Sequence, residues 1–109
     1  MNGNQIGYLL KMQALPGRGK ELHALVAKVT AESTDVESWI FVSDPSDPDV
    51  LLGLEFYKDE AALEAHENSS ATDEVRSPIA ALMVGGERTL VRPIAASVAL
   101  DRANGLLPL

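Results

Sequence analysis

The octapeptide Val50 to Tyr57, VLLGLEFY, narrows the possible folds of this chain more than any other stretch. Side chains alternate faces along a strand. Leu52, Leu54 and Phe56 therefore stand opposite Leu51, Gly53, Glu55 and Tyr57. A strand apolar on both faces belongs to a sheet covered on both sides. Two other runs read alike. Ile6 to Leu15 puts Ile6, Tyr8, Leu10, Met12 and Ala14 on one face, with Leu9 on the other. Glu37 to Ser43 sets Trp39 and Phe41 against Ile40 and Val42.

The segments between these strands carry helical spacing. After Pro16-Gly17, which breaks the first strand, Leu22, Leu25, Val26 and Val29 form one apolar stripe from Arg18 to about Ser33. Asp44 to Asp49 reads as a six-residue hairpin turn whose carboxylates bond the local backbone. Asp59 is placed to cap a short helix running to about Asn68. A second helical piece is predicted from about Thr72 to Val84, with Val75, Ile79, Leu82 and Met83 as its apolar stripe, Pro78 as a kink or as the first turn of its second half, and Gly85-Gly86 as its stop. Glu87 to Val98 reads as a last strand, with Pro93 placing it at an edge or a bulge.

The order β-α-β-β-α-β predicts a ferredoxin-like α+β fold: one domain over 1–109, core about 6–98, with both helices on one face of a four-stranded antiparallel sheet. The other face is expected to carry Leu9, Leu51, Leu90 and one of the pairs Trp39/Phe41 or Ile40/Val42. At roughly 25 cal/mol per Å², leaving that surface wet is unfavourable, so two sheets are expected to pack face to face in a homodimer. The tail 99–109, ending Gly-Leu-Leu-Pro-Leu, is expected to cover a partner subunit or to be disordered.

Composition removes several functions. The formal net charge is −7, with few and scattered Lys and Arg, which argues against nucleic acid as a partner. The same field disfavours polyanionic substrates and suits a neutral or weakly polar organic ligand; acidity for solubility alone explains it equally well. With 46% hydrophobic and 23% charged residues the chain reads as an ordinary globular protein. No apolar run approaches the ~20 residues of a membrane span. The polar start, Met-Asn-Gly-Asn-Gln, has no signal-peptide core, and a cytoplasmic location is expected. There are no cysteines, hence no disulfides, thiolate metal sites or thiol nucleophiles. Asp44, Asp47 and Asp49 lack the glycine and terminal Glu of a calcium loop. Gly17-Arg18-Gly19 is too short for a dinucleotide motif. No metal, flavin or nicotinamide cofactor is expected.

Glu55 and Tyr57 share one strand face, and His66 follows on the next helix with Leu63 and Ala62. On an apolar surface Glu55 is a candidate general base with its pKa raised by burial, or a structural acceptor for a Tyr or for Arg88 or Arg92. Tyr57 either donates its hydroxyl to a ligand oxygen or seals a pocket rim. His66 is either a proton acceptor or a hydrogen-bonded core residue, while His23 reads as surface. Trp39 could stack on an aromatic ligand or pack in the core. Gly53 marks a close approach of ligand or backbone, or a bulge. Leu51, Leu63 and Arg92 complete the candidate substrate-binding set.

Pro16-Gly17 leading into the first helix, Ala31-Glu32 at its end, Glu55-Phe-Tyr57 followed by Ala61-Ala62 and His66, and Leu82-Met83 before Gly85 together resemble the antibiotic biosynthesis monooxygenase family over roughly Ile6 to Val98. These are small dimeric α+β barrels that include quinol and anthrone monooxygenases. The resemblance implies cofactor-independent oxidation of a phenolic, quinol or polyketide-like aromatic by molecular oxygen, the deprotonated substrate itself reducing oxygen. It places Glu55, His66 and Tyr57 as catalytic candidates. Where anthrone-oxidising members set Asn, Trp and Tyr, this chain has Gly53, Tyr57 and Leu63, and it has no histidine after His66, as haem-degrading relatives require. The Glu55 to His66 stretch is also similar to the family's isomerase of a phosphorylated autoinducer, whose further histidine is replaced here by Ser69-Ser70. An isomerase or tautomerase, or a non-catalytic dimeric binding barrel, are the alternative expectations.

Overall fold

The computed structural model describes residues 3–97. In chain order it contains β1 (Ile6–Ala14), α1 (Gly19–Glu32), β2 (Val36–Asp44), β3 (Asp47–Tyr57), α2 (Glu60–Glu67), α3 (Ser70–Ala80) and β4 (Met83–Val91). The strands form one antiparallel sheet in the order β2-β3-β1-β4. This is the ferredoxin-like arrangement, with its second helical position divided between α2 and α3.

The helices pack on one face of the sheet in two clusters. Leu22 and Val26 of α1 meet Ala14, Leu51 and Leu82. Leu63 of α2 meets Ile6 and the wholly buried Tyr57. Asp59 caps α2, its Oδ1 accepting from the Ala62 N–H at 2.8 Å. Ser69 does the same for α3 through the Thr72 N–H. The start of α1 has no cap of its own. Asp49 of β3 supplies one, with Oδ2 accepting from the Gly17 N–H and Oδ1 from the Gly19 N–H. Gly17 has φ +79°, a left-handed conformation that glycine adopts without strain.

Several local expectations change. The β2–β3 turn spans two residues, Pro45 and Ser46, because Asp44 and Asp47 already face each other across the ladder. Pro48 is tolerated in β3 because the pairing with β1 begins only at Val50. Helix α3 begins at Ser70 and ends at Ala80, and Gly85-Gly86 lie inside β4. Pro78 in its last turn lacks the N–H that would bond the Glu74 carbonyl, and the helix continues past it to Ala80. With β4 ending at Val91, Pro93 follows the strand; Val98 and the tail 99–109 lie outside the described residues.

The faces are also reassigned. Pairing of Met12 with Leu51 and of Tyr8 with Leu90 puts Leu51 and Leu90 on the helix side. Trp39 and Phe41 join them through Glu55 and Gly53. The opposite face carries Leu9, Leu52, Leu54, Phe56, Ile40 and Val42, none of which belongs to a core cluster. Leu9 and Val42 are 49% and 48% exposed.

Candidate functional site

Register builds the site. On the helix side, Trp39 pairs with Glu55, Glu55 with Tyr8, and Tyr8 with Leu90. The four side chains therefore form one straight row across all four strands. At ~4.8 Å between strands, the row spans about 14 Å. Trp39, Glu55 and Tyr8 are each half-buried, and Leu90 is 56% exposed. One carboxylate flanked by two aromatic rings thus lines an open part of the helix-facing surface.

Tyr57 lies two residues along from Glu55, and its hydroxyl donates to Glu55 Oε1 at 3.0 Å. Burial pushes the Glu55 carboxyl above its ordinary value, opposed by the Tyr57 hydrogen bond and by electrostatic attraction towards His66 and Arg88. The Tyr57 phenol is pushed up strongly, by burial first and then by the Glu55 charge. Ionising Tyr57 would place a second anion against Glu55 in a poorly hydrated site. Tyr57 accordingly acts as a fixed neutral donor. Tyr8 is also raised, by burial and then by the Glu67 carboxylate.

His66 packs over Tyr57 with ring centroids 5.1 Å apart, and its Nδ1 lies 3.3 Å from Asp35 Oδ2. Asp35 comes from the connection between α1 and β2. On the other flank, the Arg88 guanidinium stands 4.5 Å over the Tyr8 ring and donates to Glu67 Oε1 at 3.0 Å. Arg76 donates to Glu67 Oε2. Glu67 thereby ties α2 to α3 and to β4 beside the row.

The remaining sequence candidates are dispersed. Leu51 is 2% exposed beneath α1, and Leu63 is the core residue of α2. Gly53 sits under the Phe41 ring: a Cβ built there would lie 2.2 Å from Phe41 Cδ1. The close approach is thus made by a side chain of the protein, and no register shift marks a bulge at Gly53. Phe41 in turn supports Trp39, with ring centroids 5.2 Å apart. Arg92 is half-exposed and pairs with Glu60 at the start of α2, and Arg88 with Glu67; neither bonds Glu55. His23 is half-buried rather than on the surface, its Nε2–H donating to the Val50 carbonyl at 3.2 Å. Sequence reasoning missed Tyr8, Glu67 and Asp35. The only prior signal was that Tyr8 shared the inward face of β1.

Among the described residues no group of three or more His, Asp or Glu is placed to hold a metal ion. No described helix is long and apolar enough to cross a membrane.

The solved structures that resemble this one share its fold. A candidate antibiotic biosynthesis monooxygenase from Chloroflexus aurantiacus J-10-fl superposes with a TM-score of 0.75 at 20% identity, over 86% of this chain and 97% of its own. A conserved protein from Methanosarcina mazei Go1 gives 0.70 at 21% identity, over 83% and 93%. A protein of unknown function from Nitrosomonas europaea gives 0.71 at 18%, over 93% and 100%. No functionally curated protein matches the sequence. The sequence model of the antibiotic biosynthesis monooxygenase family matches residues 6–76, which contain Tyr8, Asp35, Trp39, Glu55, Tyr57 and His66. With well over half of its length matched, the chain belongs to the antibiotic biosynthesis monooxygenase family.

Proposed function

We propose that this protein is a cofactor-independent monooxygenase for a flat phenolic or quinol-like aromatic, with Glu55 as its proton acceptor. The observation that carries this reading is the row Trp39–Glu55–Tyr8, which holds a carboxylate of raised pKa between two aromatic walls. A base works best with a pKa near the working pH, and burial moves Glu55 in that direction. Trp39 and Tyr8 give planar surfaces against which a substrate ring can stack. Tyr57 has its hydroxyl committed to Glu55 and no exposed surface, so it positions and tunes the base.

The reaction balances without an added reductant. Glu55 takes a proton from a ring methylene made acidic by the adjoining phenol or carbonyl. The substrate anion passes its electron pair to molecular oxygen, and a carbon–oxygen bond forms. Returning the proton gives a hydroperoxide. Loss of the second C–H proton with cleavage of the O–O bond leaves a ketone or quinone, and the departing hydroxide is protonated to water. The substrate loses two hydrogens and gains one oxygen, and the second oxygen atom leaves as water.

The active form is a homodimer closed through the helix-free sheet face. Leu9, Leu54 and Ile40 lie in register there beside Leu52, Val42 and Phe56. An apolar patch of this kind on a small protein suits a second copy.

Oxygen uptake with a panel of quinols, anthrones and flavonoid-like phenols tests the proposal. Uptake above the spontaneous rate should fall by about 100-fold or more in Glu55→Gln, the range typical of a lost general base. Unchanged uptake in that variant removes Glu55 from the mechanism. Product formation with no oxygen consumed would instead identify an isomerase using the same proton-transfer groups.

A further inference from the structure

The O–O cleavage written above needs two groups in opposite protonation states at once. One removes the last C–H proton while the other protonates the departing hydroxide. Glu55, acting as carboxylate, cannot do both. Resting on the Glu55 reading, the second group is His66, which packs on Tyr57, the hydrogen-bond partner of Glu55.

His66 packs on Tyr57, and its side chain is 20% exposed, so it exchanges protons with solvent. Its Nδ1 lies 3.3 Å from Asp35 Oδ2. An ionised carboxylate can only accept a hydrogen bond, so Nδ1 must carry the proton. In the neutral ring that leaves Nε2 with its lone pair. When the ring is charged, the same carboxylate balances the imidazolium.

We propose that Asp35 is a positioning residue that fixes His66 in the Nδ1–H form, leaving Nε2 as the atom that takes a proton from solvent and gives it to the departing hydroxide. Glu55 gains a proton from carbon as His66 loses one to oxygen, and exchange with solvent resets both. Asp35 is 42% exposed and caps no helix, so its replacement should leave the fold intact. A simple tie between the α1–β2 connection and α2 would hold His66 in place without setting its tautomer.

Nitrogen-15 spectra of the neutral imidazole distinguish the two in the full-length protein, with no substrate needed. In the wild type and in Asp35→Glu, Nε2 should give the signal of an unprotonated ring nitrogen. In Asp35→Ala the population should move to the Nε2–H form. A wild-type ring already protonated at Nε2, or a tautomer indifferent to Asp35→Ala, overturns the proposal. With a turned-over substrate, His66→Ala and Asp35→Ala should each lower kcat about tenfold or more with KM nearly unchanged, and Asp35→Glu should recover most of the loss. If His66→Ala slows turnover and Asp35→Ala does not, Asp35 has no such role and the Glu55 assignment stands. If Glu55→Gln leaves turnover unchanged, it is the Glu55 reading that fails.

Discussion

Replacing Tyr57 by Phe removes one hydroxyl and leaves the buried ring, which isolates the bond to Glu55. That bond joins a neutral donor to a carboxylate at 3.0 Å. Hydrogen bonds to charged groups contribute about 1.5–3 kcal/mol. Its loss should therefore raise the Glu55 pKa further. Glu55 is only half-buried, so water replaces part of the interaction and the loss should lie towards the low end of that range. The direction is fixed because the Tyr57 bond opposes the upward effect of burial. Stability follows by linkage. The bond favours the ionised carboxylate, so its contribution is full above the higher titration of Tyr57→Phe and is lost as pH falls from there through the wild-type titration. Tyr57→Phe should therefore be less stable by about 1–2 kcal/mol at pH 7, with the difference shrinking towards acid. Carboxyl carbon-13 NMR, with Glu55 assigned by its absence in Glu55→Gln, reads the pKa, and urea unfolding at several pH values reads the stability. A Glu55 titration unchanged or lowered in Tyr57→Phe would refute the reasoning.

Gly53→Ala should destabilise by about 1–3 kcal/mol through overpacking, because the new methyl meets Phe41 Cδ1 at 2.2 Å. Trp39, the only tryptophan, reports the displaced ring by a change in fluorescence. Asp49→Ala should cost about 1–2 kcal/mol in urea unfolding, the loss of a helix cap, since Asp49 holds two N–H groups at the start of α1. The double variant Leu9→Arg, Val42→Arg should sediment as a folded monomer where the wild type sediments as a dimer; a wild-type monomer would remove the proposed interface.

The backbone order was legible because three strands alternate cleanly and Asp59 signals the α2 cap where the structure has it. Errors arose where two local signals competed. Gly85-Gly86 has the composition of a helix stop, yet α3 already ends at Ala80 and the glycines pair with Gln13 and Met12 in β4. Asp44 to Asp49 has the composition of a loop, yet cross-strand pairing shortens it to two residues. Glu55 and Tyr57 could be grouped from period two alone. Tyr8 reaches Glu55 through a pairing 47 residues apart in sequence, and Asp35 reaches His66 across 31. No local pattern encodes either distance. The faces of Leu51 and Leu90 were likewise undetermined until register was known, since period two gives the grouping on each strand but not which group meets the helices.

The most direct measurement is oxygen consumption by the purified, metal-stripped wild-type protein with isotopically labelled oxygen and a quinol or anthrone panel. Cofactor-independent oxygenation predicts one oxygen molecule consumed per substrate, one labelled atom in the product, the other in water, and loss of this activity in Glu55→Gln. Uptake no faster than the spontaneous rate across the panel, or uptake that survives Glu55→Gln, would contradict it.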